Sequence, residues 1–140
     1  MEMSDSFLLD TNVISELIRP RPSARVLRFL ERAIDPWLST ITLHELSYGA
    51  ERSPDAARRA KLLVWVDEIA VEFQDRFVAV DNEVAERSGR LRALAEAQGR
   101  PADPLDALIA ASAQAKGLTV ATRNVRDFEA FSIPIANPWN

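Results

Sequence analysis

The chain has 140 residues, 47% of them hydrophobic and 27% charged, with a net charge of −4 from 17 basic and 21 acidic residues. That is the length and composition of one globular domain, and it excludes a chain that is disordered for most of its length. With no cysteine and a single histidine, His44, disulfides, thiol catalysis, iron–sulfur clusters and zinc sites built on cysteine or paired histidines are excluded.

The start, Met1-Glu2-Met3-Ser4-Asp5, is acidic, and the apolar stretch after it stops at Asp10. A secretory leader is not expected. No apolar run approaches the roughly 18 residues of a membrane helix. A cytoplasmic location without membrane contact is the expectation. Phe7-Leu8-Leu9 reads as a buried strand. Asp10, Thr11 and Asn12 then offer competing N-caps for a helix over Val13 to Ile18. Arg19-Pro20-Arg21-Pro22 is a stiff turn. Ser23 to Ala33 is amphipathic, with Val26, Leu27, Leu30 and Ala33 on one face. Trp37 to Thr40 is a second strand, and Thr42 opens the next helix.

Residues 54–73 form a long helix with Leu62, Val66, Ile69 and Phe73 as its buried stripe. Phe77 to Val80 is a strand. Asn82 caps a helix that runs to Gln98 and stops at Gly99. Asp103-Pro104 starts another, with Asp103 at the cap and proline at the first helical position. It carries Leu105, Leu108, Ile109 and Ser112 on one face and ends at Gly117. Leu118 to Thr122 is the clearest strand. A short turn or helix follows to Phe131, then Ile133-Pro134-Ile135. There is no repeat and no linker, so a single domain over residues 1–140 is expected. Short apolar strands alternating with helices predict an α/β fold with a parallel sheet buried on both faces. Ligands of such sheets sit outside the carboxyl ends of the strands. That directs attention to Asp10-Thr11-Asn12, to Thr40–Glu45, to Asp81-Asn82 and to Thr122–Asp127.

Three acids stand out there: Asp10, Glu45 and Asp106. Each has a purely structural explanation as well. Thr42-x-x-Glu45 fits a capping box. Asp106 answers a helix dipole, worth roughly 0.3–1 kcal/mol. Asp10 and Asp103 fit caps, and His44 points about 100° around its helix from Glu45. These explanations leave convergence unexplained. Two carboxylates ~5 Å apart repel by roughly 3 kcal/mol at an effective dielectric of 20. A divalent cation relieves that repulsion, and hard oxygen donors suit Mg²⁺ or Mn²⁺. Fifteen of the 17 basic residues are arginine. Arginine forks phosphate well, although a GC-rich coding bias accounts for the same count.

The stretch Phe7-Leu8-Leu9-Asp10-Thr11-Asn12-Val13-Ile14-Ser15-Glu16-Leu17 resembles the opening of a PIN domain, in particular the VapC-like toxins of type II toxin–antitoxin pairs. Ser39-Thr40-Ile41-Thr42-Leu43-His44-Glu45-Leu46-Ser47-Tyr48-Gly49 resembles the family's second block. Asp106 to Ala111, continuing to Ala121-Thr122-Arg123-Asn124-Val125-Arg126-Asp127-Phe128, resembles the third. Asn137-Pro138-Trp139 is similar to the FitB-like branch. The blocks occur in order from Phe7 to Trp139, whereas residues 50–100 match only in helical character.

The resemblance implies a three-layer α/β/α fold and a Mg²⁺- or Mn²⁺-dependent endoribonuclease. A metal-activated water would attack RNA in line and leave a 5′-phosphate and a 3′-hydroxyl. It implies Asp10 and Asp106 as principal metal ligands, with Glu45 completing the site directly or through water. The fourth position falls on Asn124 or Asp127; an amide is the weaker ligand, which favours Asp127 or a site of three carboxylates. Thr11, Asn12, Thr122 and Asn124 would orient ligands or contact phosphate, and Arg123 and Arg126 would grip RNA. The implied partners are a VapB-like antitoxin, which carries the complex to promoter DNA, and a second copy of the toxin. The alternatives are a catalytically degenerate PIN domain acting as a scaffold, and an RNA-processing nuclease outside such a pair. Aspartyl-phosphate chemistry fits poorly: Asn12 stands where a second aspartate is wanted, and neither Lys61 nor Lys116 is well placed. Four glycines form no phosphate loop.

Overall fold

The computed structural model describes residues 6–140; the acidic start, residues 1–5, lies outside them. Five short strands are β1 (Phe7–Leu9), β2 (Leu38–Ser39), β3 (Phe77–Val78), β4 (Thr119–Ala121) and β5 (Ile135–Ala136). β1 pairs in parallel with β4, β4 with β5, and β2 with β3. A parallel bridge between Leu8 and Trp37 joins the two ladders, with Leu9 N–H donating to Trp37 O and Trp37 N–H to Phe7 O, each at 2.9 Å. The sheet order is therefore β3-β2-β1-β4-β5. The chain moves outward from β1 in one direction, then returns to β4 on the other side. That reversal opens a crevice at the carboxyl ends of β1 and β4.

Among the described residues seven helices cover the sheet: α1 (Thr11–Ser15), α2 (Ala24–Arg32), α3 (Thr40–Glu51), α4 (Ala56–Glu72), α5 (Asn82–Ala97), α6 (Pro104–Lys116) and α7 (Val125–Phe128). Because strand side chains alternate, each strand feeds two cores. Leu8, Val78 and Val120 pack with α5, α6 and α7. Leu9, Leu38 and Ala121 pack with α1 to α4. This is the three-layer α/β/α arrangement. Of the expected α4 stripe, Val66, Ile69 and Phe73 are buried, whereas Leu62 is only half-buried. No helix among the described residues is long and apolar enough to cross a membrane.

α6 is more enclosed than a one-faced helix. Ala107, Ile109, Ala110, Ala111, Ser112 and Ala113 are all buried, whereas Leu105 and Leu108 are only half-buried. Its small residues let it lie between the sheet and α5. Its ends match expectation. Asp103 caps the start, accepting from Leu105 N–H at 2.8 Å and Asp106 N–H at 3.2 Å. Gly117, at φ 66°, closes the other end in the left-handed conformation.

Several expected boundaries shift. Trp37 lies outside β2, and Thr40, expected to end that strand, is the first residue of α3. The α3 cap is Ser39, whose Oγ accepts from Ile41 N–H at 3.1 Å. Thr42, expected to open the helix, is buried inside its first turn. Asp81, not Asn82, caps α5, accepting from Val84 N–H at 2.9 Å. Val13–Ile18 is not one helix: α1 stops at Ser15 and tightens into a 3₁₀ turn over Glu16–Ile18. The cap assignment for α5 is checked by paired substitutions. Asp81→Ala should cost about 1 kcal/mol in urea unfolding, while Asn82→Ala should stay within about 0.5 kcal/mol.

Candidate active site

β1 ends where Asp10 N–H donates to Ala121 O at 2.9 Å, the last rung toward β4. Asp10 then turns the chain into α1 as its N-cap. One carboxylate oxygen accepts from Thr11 N–H at 2.8 Å. The other accepts from the Thr122 hydroxyl at 2.8 Å and from Asn12 Nδ2 at 3.1 Å. Thr122, fully buried at the end of β4, accepts from Asn124 N–H at 3.0 Å and so is oriented toward Asp10. Asn12 Oδ1 accepts from Arg123 N–H at 3.2 Å, which ties the loop after β4 to α1. Asp10 itself is only 6% exposed. Burial raises its pKa and the nearby Asp127 charge adds to this; the bonds from Thr122, Thr11 and Asn12 oppose the rise without cancelling it.

Glu45 lies one turn further into α3 than the cap. Because Ser39 holds that cap, the Thr42-x-x-Glu45 capping box does not form. Glu45 instead accepts a short hydrogen bond from the Thr11 hydroxyl, which lies 3.4 Å from that of Thr42. Burial raises the Glu45 pKa, the Thr11 bond lowers it, and the charges of Asp10 and Asp103 raise it again. His44 is exposed and contributes only a small lowering.

Asp106 sits in the first turn of α6. Its carboxyl is pushed up to about 7, first by burial and then by the charges of Asp103, Asp10, Asp127 and Glu45. Its place in the first turn also sets it against the helix dipole, but burial and the neighbouring acids dominate the shift. Asp127 is exposed in the first turn of α7, and its charge reaches both Asp10 and Asp106. The Asn124 side chain caps nothing; its backbone does the positioning. Five acids from four segments therefore feel one another. None of Asp10, Glu45, Asp103, Asp106 or Asp127 pairs with a basic side chain among the described residues.

That charge deficit is what a divalent cation fits. Among the described residues no three acidic side chains stand close enough to enclose an ion unaided. Mg²⁺ keeps several of its waters and takes one or two carboxylates directly, so the open spacing suits a hydrated ion. The acids open into a cleft of about 520 Å³ lined by Asp103, Asp106, Arg126 and Asp127. On the other side Thr11 and Glu45 line a smaller cavity of about 180 Å³. Arg126 thus borders the acids. Arg123 is exposed, with its guanidinium 5.1 Å from the centre of the Trp139 ring.

Two supports escaped sequence reasoning. Ser112 donates to Leu108 O at 2.8 Å and lies 3.1 Å from Ser39 Oγ, linking α6 to the cap of α3. Glu16 is buried and accepts from Ser23 N–H at 2.8 Å, pinning the turn before α2. A serine facing a core and a glutamate near a Pro/Arg turn are the only signals either leaves in the sequence.

The profile of the PIN domain family matches residues 7–133. The chain is 37% identical over 136 residues to Toxin FitB of Neisseria gonorrhoeae, covering 95% of this chain and 98% of that one. A crystal structure of FitAcB from the same organism superposes with a TM-score of 0.90 at 36% identity, covering 96% and 99% of the two chains. The tRNA(fMet)-specific endonuclease VapC of Shigella flexneri is 36% identical over 124 residues, with 88% and 89% covered. DNA-bound VapBC of Salmonella typhimurium superposes with a TM-score of 0.80 at 29% identity, covering 96% and 99%.

The raised Asp106 pKa has a sign that can be checked without metal. The unfolded chain loses that proton near 3.8 and the folded chain near 7. Between those values the folded state holds the extra proton, so stability falls as pH rises from about 4 to about 7. Asp106→Asn should leave the urea midpoint little changed at pH 4 and raise it at pH 8 in EDTA.

Proposed function

The chain belongs to the PIN domain family, and we propose that it is a divalent-metal-dependent endoribonuclease, the toxin of a type II toxin–antitoxin pair. The observation that carries this reading is the gathering of Asp10, Glu45 and Asp106 at the crevice between β1 and β4: burial raises all three, and neighbouring acids add to it, Asp127 on Asp10, Asp10 and Asp103 on Glu45, and Asp103, Asp10, Asp127 and Glu45 on Asp106. Toxin and ribonuclease relatives that match nearly end to end support it. The VapBC assembly bound to DNA supports a VapB-like antitoxin as partner, with promoter DNA held by the complex. In this reading the chain is a single PIN domain, supported by the family match over residues 7–133.

Asp10 and Asp106 would hold Mg²⁺, with Mn²⁺ as a substitute, and Glu45 would complete the site directly or through water. Asp127 is the fourth acid, because its charge reaches both Asp10 and Asp106; Asn124 contributes its backbone N–H to Thr122. When bound, the ion offsets the acids' charge, acidifies an attacking water and neutralises the phosphate. Thr122 and Asn12 fix the rotamer of Asp10, and Thr11 fixes that of Glu45, so the oxygens are aimed before substrate arrives. The cleft beside Asp106 leaves room for RNA, and Arg126 on its border meets the phosphate backbone. In-line attack of water on the scissile phosphorus breaks the bond to the 3′ oxygen, leaving a 5′-phosphate and a 3′-hydroxyl.

Incubation with total cellular RNA in Mg²⁺ tests the reading. Cleavage should stop in EDTA, and folded Asp10→Asn should give no detectable products. Retained Mg²⁺-dependent cleavage in that variant overturns the assignment. Thr122→Val and Asp127→Asn should each lower the rate about 10–100-fold, with a smaller effect from Asn124→Ala.

A further inference from the structure

A second large cleft lies away from the acids. It has a volume of about 550 Å³ and sits beside α2, lined by Arg25, Arg28 and Arg32 together with Phe7, Phe29 and Asn137. The arginines recur at i, i+3 and i+7, which places them along one face over about 10 Å of helix. Val26 on the opposite side is fully buried in the core. Among the described residues none of the three arginines pairs with an acid, and no acidic side chain lines the cleft. On a chain of net charge −4 this is a local reversal of sign. The half-buried rings of Phe7 and Phe29 meet edge to face at 4.8 Å and add an aromatic surface beside the guanidinium groups.

Cations in a row with an aromatic surface suit a single nucleic-acid strand: the arginines neutralise phosphates and the rings take bases without reading their sequence. An acidic peptide would use the charges but not the rings. The cleft also leads toward the acids. Ala136 lines it and pairs with Ala121, which pairs with Leu9, the residue before Asp10. Two strand spacings are about 10 Å. Between the two regions lies Arg123 on Trp139, whose neighbours Pro138 and Asn140 line the cleft.

We propose that the cleft beside α2 is a sequence-tolerant track for single-stranded RNA, seating about three phosphates on Arg25, Arg28 and Arg32 and leading the strand past Arg123 to the acids. This rests on the ribonuclease reading. The track sets affinity, whereas the acids carry the chemistry.

Binding of a fluorescein-labelled 12-nucleotide oligouridylate, followed by anisotropy in Asp10→Asn protein, tests the proposal without cleavage. Adding R25Q, R28Q and R32Q should raise Kd at least about tenfold near 0.1 M salt and flatten the salt dependence by about two units of log–log slope. R90Q with R92Q, on the exposed side of α5, should change Kd less than about twofold. In protein that retains Asp10, the loss should fall on KM rather than kcat. The proposal is overturned by an unchanged Kd in the triple variant, by an equal loss in the α5 variant, or by polyglutamate displacing the RNA as well as unlabelled oligouridylate does. A parent protein that binds through the track yet cuts no RNA in Mg²⁺ would sink the ribonuclease reading and leave the track standing.

Discussion

A carboxylate held almost out of water at the end of the first strand is the constraint from which the rest of this site follows. Asp10 is 6% exposed and, among the described residues, pairs with no cation. Its charge is instead spread over three donors: a backbone N–H of its own helix, an amide two residues on, and a hydroxyl from a strand 112 positions away. The last of these exists only because β1 and β4 pair in register, Leu9 opposite Ala121. The sheet is thus an instrument for aiming one oxygen. A slip by one residue would send Thr122 to the other face and leave Asp10 buried without its strongest partner.

Around that oxygen the fold collects acids that oppose one another. Asp106 bears the largest consequence, since its carboxyl is raised to about 7 by burial and by four neighbouring charges. Such an arrangement costs stability at neutral pH and is typical of functional sites. The helices that present these acids are locked by contacts that carry no charge. Ser112 reaches the Ser39 cap across 3.1 Å, so α3 and α6 hold a common frame. Glu16 fastens the turn that launches α2, the helix that bears the arginine row. The molecule therefore keeps negative charge at the crevice and positive charge two strands away, an ordering that lets an acidic protein receive a polyanion.

Sequence reading succeeded where local chemistry decides and slipped where the sheet decides. Asp103-Pro104 and Gly117 mark the ends of α6 because a cap, a proline and a positive-φ residue act within one turn. The α3 start was placed at Thr42 rather than after Ser39, and the α5 cap at Asn82 rather than Asp81. In both cases more than one nearby residue has a suitable side chain: Ser39, Thr40 and Thr42 for α3, Asp81 and Asn82 for α5. The choice depends on where the preceding strand stops pairing: Ser39 is still paired with Val78 when it begins to cap α3. That difference of a few residues separates a Glu45 spent on its own helix from one free to meet Thr11.

The order of strands and helices, the two-faced apolar strands, the three acid-bearing blocks and their resemblance to PIN domains were all legible in the linear chain, because periodicity, caps and motif spacing are local. Which acids share a field, which hydroxyl orients which carboxylate, and the facing of Arg25, Arg28 and Arg32 onto one cleft were decided only by tertiary structure. Those relations join residues up to 112 positions apart. They depend on parallel register and on which helix covers which face of the sheet, and neither leaves a mark in any short stretch of sequence.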